Sequence, residues 1–341
     1  MNMQTNMRTG AATLDDGWRR WIADNLLRGA DRGGLVGAML GAGLDRLLIE
    51  QELRSAEEHP YLLAARRLQA RSAKQHWMAS ALGRLEELDP CGVERRETID
   101  RRTFFEEFYA RNRPLILTRA IEDWRAPSLW SLDYLEQAAA GATVEIQAGR
   151  SVDPHYEQYS ANYKRVSTWR AFLTALRRGG ISNDFYLTAN NGAANRQALA
   201  PLWRDFGPID GLLSGDWREQ GFLWLGPQGT ITPWHHDLTN NLLVQIVGRK
   251  RITLASPAQT PRMRNHCHCY SEFGQNAACS GAGEGDRPHL LHCELGPGEL
   301  IFLPIGWWHH VEALDLSASL TLTNFEGPND FHKNYTTFDA L

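Results

Sequence analysis

Apolar residues recur at helical spacing in the first quarter of the chain. Between about Leu14 and Leu88 the leucines lie three or four residues apart, as at Leu44, Leu47 and Leu48. This spacing puts the apolar side chains on one face of a helix, so it predicts two to four amphipathic helices. We interpret residues 1–90 as a helical scaffold or dimerisation segment, with a peptide-binding arm as the alternative.

The pattern changes after the turn-forming stretch 89–92, where a second domain, residues 91–341, is predicted to begin. Thr103, followed three residues later by Glu106, resembles a capping box and predicts a short helix over 103–109. The remaining elements predicted before residue 190 are strands at 113–118, 143–147 and 185–188 and a helix at 167–177.

From about Gly221 onward, short apolar strands alternate with glycine and proline turns. This arrangement is typical of a mainly β, double-stranded β-helix, or jelly-roll barrel. Gly248 and Arg249 predict a tight connection between two of its strands. The predicted strands are 222–225, 231–247, 250–255, 300–303, 309–313 and 317–325.

Composition and charge narrow the function class. Hydrophobic residues make up 43% of the 341 residues and charged residues 22%, which predicts a folded chain. The net charge of -4 gives no electrostatic reason to expect nucleic acid as a partner. The polar stretch Met1–Gly10, the lack of a span-length apolar run and a content of five cysteines predict a cytoplasmic protein without a membrane segment or disulfide scaffold.

Candidate chemistry first appears in the strand that contains His235. Successive side chains of a strand point to opposite faces, so His235 and Asp237 share one face while Trp234 and His236 point the other way. With a second histidine from elsewhere, these groups would form the two-histidine, one-carboxylate triad that holds non-heme Fe(II).

A candidate for that second histidine lies more than seventy residues downstream. A Gly-Pro-Gly turn leads into an apolar strand, Pro304 to Gly306 bend the chain, and an aromatic pair precedes His309 and His310. Strand alternation groups His309 with Val311 and places His310 on the opposite face. It does not decide which of the two faces looks into the barrel.

Together these motifs resemble the JmjC and cupin-like 2-oxoglutarate-dependent oxygenases, and the resemblance runs from about Arg101 to about Asp330. The chain is most similar to the branch that contains the asparaginyl hydroxylase of hypoxia-inducible factor. The motifs that carry the resemblance, in family order, are Thr232-Pro-Trp-His-His-Asp237, Asn240-Asn241, Gly248-Arg-Lys-Arg251, Pro304, Trp307-Trp-His309 and Thr323-Asn-Phe325.

The resemblance implies a role for eight side chains. Fe(II) would be held by His235, Asp237 and His309. The distal carboxylate of 2-oxoglutarate would pair with Lys250, helped by the hydroxyls of Tyr186 and Thr232, and the amides of Asn241 and Asn324 would lie beside its metal-bound end. In a regular strand, Thr232 and His235 would face opposite sides, and Pro233 is a plausible site of irregularity.

Each of these residues also has an ordinary structural interpretation. A lone lysine is normally a solvated surface group, asparagines commonly occupy turns, and Tyr186 could be a barrel aromatic. His235 and Asp237 could be a buried hydrogen-bonded pair, and His236 and His310 could be the outward members of their doublets. Only their joint occurrence in family order favours the site.

A second group of metal-binding residue types lies in the insertion 257–292. It contains His266, Cys267, His268, Cys269 and Cys279, with His292 and Cys293 directly after. Zinc binds thiolates and imidazoles, but the Cys-x-Cys spacing matches no common structural zinc pattern. We interpret the insertion as a surface loop near the barrel mouth that contacts substrate, with a zinc site as the alternative.

The resulting hypothesis is an Fe(II)- and 2-oxoglutarate-dependent dioxygenase that uses dioxygen to hydroxylate a C–H bond in a protein or peptide side chain. A small molecule is the alternative substrate, and a non-catalytic cupin-like binding protein is the alternative class. By analogy with the family, a homodimer through helices outside the barrel is expected.

Overall fold

The computed structural model describes residues 14–88, 92–188, 192–214, 221–283 and 285–339. The chain divides into two compact units, Met1–Met78 and Ala79–Leu341. The predicted division at residue 90 stays a prediction.

Helices make up the described part of the first unit. Asp15, Asp31 and Asp45 each accept a backbone N–H at a helix start, the preferred use of aspartate at such positions. Ile22 and Met39 are fully buried in the shared core of these helices. The predicted helical segment is confirmed. Its helices are α1 (Asp16–Leu27), α2 (Arg32–Gly41), α3 (Arg46–Glu58) and the first part of α4 (Pro60–Glu86).

Short helices flank the barrel in the second unit. The predicted cap at Thr103 is wrong, because the Asp100 side chain accepts the Thr103 N–H and the helix starts at Arg101. The helix then widens into a π-helical segment, Phe104–Tyr109, which buries Phe104 and Phe108. The other helices are α5 (Arg101–Thr103), α6 (Ala126–Leu129), α7 (Leu132–Ala138), α8 (Ser160–Tyr163), α9 (Trp169–Arg177) and α10 (Gly192–Ala198), with 3-10 turns at Arg150–Val152, Ala200–Asp205, Pro257–Arg262 and Phe331–Asn334.

Two six-stranded sheets form the barrel. The first has the order β1-β2-β13-β8-β15-β6 and the second the order β10-β11-β7-β14-β9-β12, while β4-β3-β5 form a small third sheet. The strands are β1 (Glu94–Arg96), β2 (Leu115–Leu117), β3 (Thr143–Ala148), β4 (Lys164–Thr168), β5 (Phe185–Tyr186), β6 (Phe222–Gly226), β7 (Ile231–His236), β8 (Asn241–Val247), β9 (Lys250–Ala255), β10 (Asn265–Cys267), β11 (Tyr270–Ser271), β12 (Leu291–Leu295), β13 (Leu300–Leu303), β14 (Trp308–Ala313) and β15 (Ser317–Leu322).

Side-chain alternation separates the inside of the barrel from its two outer faces. Leu243, Ile252 and Leu254 belong to an inner apolar cluster contributed by both sheets. The flanking helices cover the outer face of the first sheet, and the insertion after β9 packs on Trp234 and Trp308 at the outer face of the second. This architecture confirms the predicted jelly roll. Within the described ranges, no helix has the length and apolarity needed to cross a membrane.

One predicted strand is two strands. The expectation of a continuous strand over 231–247 is wrong, because β7 ends at His236 and β8 begins at Asn241, in the other sheet. Asp237 is the first residue of the connection between these two strands. The predicted tight connection at Gly248 is confirmed: its φ is 69°, and a Cβ there would lie 2.1 Å from the Leu316 carbonyl oxygen.

Candidate active site

Three ligand-type side chains meet at the mouth of the barrel. His235 at the end of β7 pairs across the sheet with His309 on β14, and Asp237 follows β7 directly. His235 Nε2 lies 3.8 Å from Asp237 Oδ1, and His309 Nε2 lies 3.9 Å from Asp237 Oδ2. One ligand atom from each of the three residues lies within 4.8 Å of the other two. This spacing fits a single metal ion bound by two histidines and one carboxylate.

Backbone carbonyls orient both imidazoles. His235 Nδ1 lies 2.9 Å from the Pro233 oxygen, and His309 Nδ1 lies 2.9 Å from the Trp307 oxygen. A carbonyl oxygen only accepts hydrogen bonds, so each Nδ1 carries the proton and each Nε2 is left with a lone pair facing the cluster. This is the tautomer that a histidine needs to bind a metal through Nε2.

The electrostatics of the cluster favour a neutral His235 and an ionised Asp237. Burial, followed by the neighbouring His309, lowers the pKa of His235 to about 4. Burial also opposes ionisation of Asp237, but His309, His235 and the Asn241 amide together lower its pKa below the ordinary value. Asn241 Nδ2 donates to Asp237 Oδ2 over 3.1 Å, which fixes the orientation of the carboxylate. These are the protonation states of metal-binding side chains.

The second histidine of each doublet faces away from the cluster. The His236 ring lies edge-on to Trp308 at 4.7 Å, and His310 Nε2 lies 3.1 Å from the Gln275 carbonyl oxygen. The structure therefore decides what strand alternation left open at the second doublet: His309 faces the cavity and His310 the outer face.

A cavity of about 280 Å³ contains the cluster. Its wall is partly apolar, with Leu243, Leu303 and Phe222, and partly polar, with Glu157 and Tyr270. Other residues that line it include Trp224, Thr239, Cys269, Thr321 and Thr323.

A single buried ammonium group also lines this cavity. Lys250 begins β9 and is 3% exposed. Its Nζ donates to Ser319 Oγ over 2.6 Å and to the Tyr186 hydroxyl over 3.2 Å. Burial lowers the pKa of Lys250 to about 7, since the charged form loses its hydration. Its Nζ also lies 5.9 Å from the ring centroids of Tyr186 and Trp224. A buried ammonium with these neutral partners is suited to receive an anionic ligand.

A β-bulge brings Thr232 to the same side as His235. On β14, His309 and Val311 are two residues apart, but their partners on β7, His235 and Thr232, are three residues apart. The extra residue shifts the alternation by one, so both side chains line the cavity. The predicted irregularity at Pro233 is confirmed, since this proline lies within the bulge.

Asn324 lies outside the lining of the cavity. It follows β15, and its Nδ2 donates to the Ser214 carbonyl oxygen. The predicted contact of this amide with the metal-bound end of the co-substrate stays a prediction.

Sequence reasoning missed Ser319, Glu157 and Tyr270. Ser319 could have been found, because Ser317, Ser319 and Thr321 alternate with apolar residues along a fully buried strand. Tyr270 comes from the insertion, where β11 pairs with β7 at His235. No local pattern marks Glu157.

The histidines and cysteines of the insertion are dispersed. His266 Nε2 lies 3.2 Å from Gln158 Nε2, Cys279 is buried beside Trp234, and His292 Nδ1 lies 3.3 Å from the Thr253 hydroxyl. Of the residues that the structure describes, His235, Asp237 and His309 form the metal-type cluster. The insertion contributes Cys269 and Tyr270 to the cavity wall, in agreement with its predicted place at the barrel mouth.

Similarity to known proteins agrees with this geometry. Residues 101–330 match the family described as a cupin-like domain. Lysine-specific demethylase 8 of Xenopus tropicalis is 28% identical over 230 residues, which cover 64% of this chain and 49% of that protein. Jumonji C domain-containing protein 5 of Drosophila melanogaster is 29% identical over 238 residues, which cover 65% and 57%. The X-ray structure of E. coli ycfD aligns with a TM-score of 0.40 at 18% identity, covering 69% of this chain and 54% of that one.

The matched region covers more than half of the chain, and it spans about half the length of the curated relatives. The predicted fold and cofactors are confirmed, while the placement in the asparaginyl hydroxylase branch stays a prediction. The chain belongs to the cupin-like JmjC family of oxygenases, whose members use Fe(II), 2-oxoglutarate and dioxygen.

Proposed function

We propose that this chain is an Fe(II)- and 2-oxoglutarate-dependent hydroxylase that acts on a C–H bond in a protein or peptide side chain. The observation that carries the proposal is the combination of two features in one cavity. The His235, Asp237 and His309 cluster offers three metal ligands, and Lys250 offers a buried cation. Within the described ranges, no carboxylate forms an ion pair with Lys250, so its charge is available to a carboxylate of the co-substrate.

The metal end of the cavity would hold Fe(II) through His235 Nε2, His309 Nε2 and an oxygen of Asp237. When bound, the iron supplies oxidation of an unactivated C–H bond by dioxygen, coupled to decarboxylation of the keto acid. The protein's own part is to present the Nε2 atoms of two imidazoles and one ionised carboxylate, which the hydrogen bond from Asn241 holds in orientation.

The other end of the cavity would bind the distal carboxylate of 2-oxoglutarate. Lys250 supplies the charge, Tyr186 and Ser319 hold its ammonium group in place, and the Thr232 hydroxyl lies on the same wall. Charge-assisted hydrogen bonds of this kind are about twice as strong as neutral ones. Asn241 would also contact the metal-bound end of the keto acid.

A protein or peptide substrate is supported by the relatives, among which lysine-specific demethylase 8 is named for its action on lysine. Demethylation of an N-methyl group begins with hydroxylation of its C–H bond, so the same site chemistry serves both reactions. Mass spectrometry of treated peptides separates them: a hydroxylase adds one oxygen atom, whereas a demethylase removes a methyl group and releases formaldehyde. Turnover with free amino acids but with no peptide would favour the small-molecule alternative.

The primary test is turnover of 2-oxoglutarate in the absence of any other substrate. We expect the protein to release succinate when Fe(II) is added and to show a metal-to-keto-acid absorbance band under anaerobic conditions. Binding of iron with neither succinate release nor the band, with peptide substrates present as well, would instead support the non-catalytic binding protein.

A further inference from the structure

A buried arginine that does not line the cavity lies directly behind its co-substrate end. Arg150 follows β3 in the 3-10 turn Arg150–Val152 and is 0% exposed. A buried charge requires polar partners, because they compensate for the hydration that it loses on burial. Its guanidinium lies 4.2 Å from the centroid of the Tyr156 ring and donates through Nη2 to Glu157 Oε1 over 3.1 Å.

Each partner of Arg150 described next either lines the cavity or adjoins a residue that lines it. Arg150 also donates through Nη2 over 2.7 Å to the carbonyl oxygen of Ile231, the residue before Thr232. Its Cζ lies 5.1 Å from the ring centroid of Tyr186, whose hydroxyl accepts a hydrogen bond from Lys250. Glu157 itself lines the cavity. One guanidinium therefore contacts the supports of both Thr232 and Lys250.

Ile231 is held at both its N–H and its carbonyl group. The Tyr156 hydroxyl donates to the Ile231 carbonyl oxygen over 2.7 Å, and Asn183 Oδ1 accepts the Ile231 N–H over 2.9 Å. Asn183 Nδ2 in turn donates to the Tyr156 hydroxyl over 3.0 Å. These bonds fix the backbone immediately before the β-bulge that turns Thr232 toward the cavity.

We propose that Arg150, with Tyr156 and Asn183, is a positioning residue for 2-oxoglutarate, and this inference rests on the proposed function. Arg150 acts through Ile231 and Tyr186, which set the directions of the Thr232 hydroxyl and the Lys250 ammonium group. The metal ligands depend on other contacts, since His235 is held by its carbonyl bond and by pairing with His309 and Tyr270. Loss of the arginine should therefore weaken co-substrate binding and spare metal binding.

The test measures two affinities on the same full-length variants: that for Mn(II), and that of the Mn(II)-loaded protein for 2-oxoglutarate. Arg150→Lys keeps the charge but removes the planar guanidinium that lies over the rings of Tyr156 and Tyr186. We expect about tenfold weaker binding of 2-oxoglutarate, with Mn(II) affinity changed by less than about twofold. A purely structural role would lower thermal stability and leave the 2-oxoglutarate affinity of the folded protein unchanged.

Tyr156→Phe is a smaller perturbation of the same contacts. It removes one hydroxyl and retains the ring under Arg150, so we expect the variant to fold. We expect about threefold weaker binding of 2-oxoglutarate. Its matched control is Tyr134→Phe, which removes a 2.6 Å hydrogen bond to Asp205 in the outer core. Tyr134→Phe should leave both affinities unchanged.

The outcomes separate this inference from the proposed function. If the wild-type protein, Tyr156→Phe and a folded Arg150→Lys all bind 2-oxoglutarate equally well, that result overturns this inference and leaves the proposed function intact. If Arg150→Lys fails to fold, the 2-oxoglutarate affinities of Tyr156→Phe and its control Tyr134→Phe are compared instead, and equal affinities overturn the inference. A Mn(II)-loaded wild-type protein that binds no 2-oxoglutarate overturns the proposed function, and this inference with it.

Discussion

The two ends of the cavity hold their polar groups in different ways. At the metal end, His235, His309 and Asp237 lie within 4.8 Å of one another, and the carboxylate balances part of the charge that a metal would bring. At the other end, Lys250 donates to two hydroxyls, and its charge is not balanced by an ion pair within the described ranges. A ligand with both a metal-chelating group and a free carboxylate would satisfy both ends at once.

This difference suggests that the metal end sets the affinity for the metal and that the Lys250 end sets the affinity for the co-substrate. The metal end is assembled from adjacent strands, β7 and β14, and each imidazole is oriented by a carbonyl of its own chain segment. The Lys250 end draws its hydroxyls from β5 and β15, which lie in other sheets. Changes at the two ends should therefore separate metal affinity from co-substrate affinity.

The largest expected effect comes from removing a metal ligand. His235→Ala should reduce succinate release by about a thousandfold or more, because it removes one of only three protein donors. Metal binding should fall in parallel, which Mn(II) titration measures. The control is His236→Ala, whose imidazole faces Trp308. Equal losses in the two variants would contradict the assigned orientation of β7.

Removing the Lys250 ammonium group should weaken co-substrate binding and leave metal binding unchanged. Lys250→Met should weaken 2-oxoglutarate binding by about a hundredfold, since a charged hydrogen bond contributes about 1.5–3 kcal/mol. The same change should raise the thermal stability of the ligand-free protein, because it removes a buried charge for which the described part of the chain supplies no ion-pair partner. Calorimetry with Mn(II)-loaded protein measures the affinity.

Arg251→Met is the control for Lys250→Met. Arg251 is the neighbouring cation on β9, but it lies at the surface and pairs with Glu294 and Glu312. The Arg251→Met substitution should leave the affinity for 2-oxoglutarate unchanged. A similar loss of affinity in both variants would indicate a general electrostatic effect instead of a contact with Lys250.

The Lys250 end should also respond to pH. Burial lowers the pKa of Lys250 to about 7, below its unfolded value of 10.5. Between these values the unfolded chain binds more protons, so this group makes the unfolding free energy of the ligand-free protein rise with pH. Because the carboxylate requires the ammonium form, 2-oxoglutarate affinity should fall about tenfold per pH unit above pH 7.

Calorimetric titrations across this pH range test that dependence. Two buffers with different ionisation heats should reveal proton uptake on 2-oxoglutarate binding in the wild-type protein and none in Lys250→Met. An affinity that stays constant from about pH 7 to about pH 9 would show that Lys250 remains charged throughout.

The smallest effect is expected from the amide behind the carboxylate. Asn241→Ala removes the hydrogen bond to Asp237 and should weaken Mn(II) binding by about tenfold. Asn195→Ala is the matched control, because this buried amide makes two backbone hydrogen bonds to Glu145 in the small sheet. If the two variants bind Mn(II) equally, Asn241 does not orient the metal ligand.

Local patterns predicted one pair of the cluster. The His-x-Asp spacing placed His235 and Asp237 on one face, because strand alternation depends only on consecutive residues. The resemblance to the family pointed to His309 and Lys250, and the structure brings both to the same cavity. The bounds of Leu300–Leu303 were predicted correctly, because a Gly-Pro-Gly turn precedes this apolar run and Pro304 follows it.

Other features required contacts between distant segments. The strand predicted over 231–247 divides because its two halves pair in different sheets, and the turn-forming residues of the stretch 237–241 lie at the break. Glu157 and Tyr270 reach the cavity from the segment after β3 and from the insertion. The expected homodimer stays a prediction.

The sequence by itself determined the jelly-roll class, the helical segment and the shared strand face of His235 and Asp237, since alternation and motif order are properties of the chain. Only the tertiary structure decided that His309 rather than His310 faces the cavity, that a bulge turns Thr232 inward, and that Ser319 and Tyr186 hold Lys250. The physical reason is that register, bulges and burial are set by the partner strand, which lies far away along the chain.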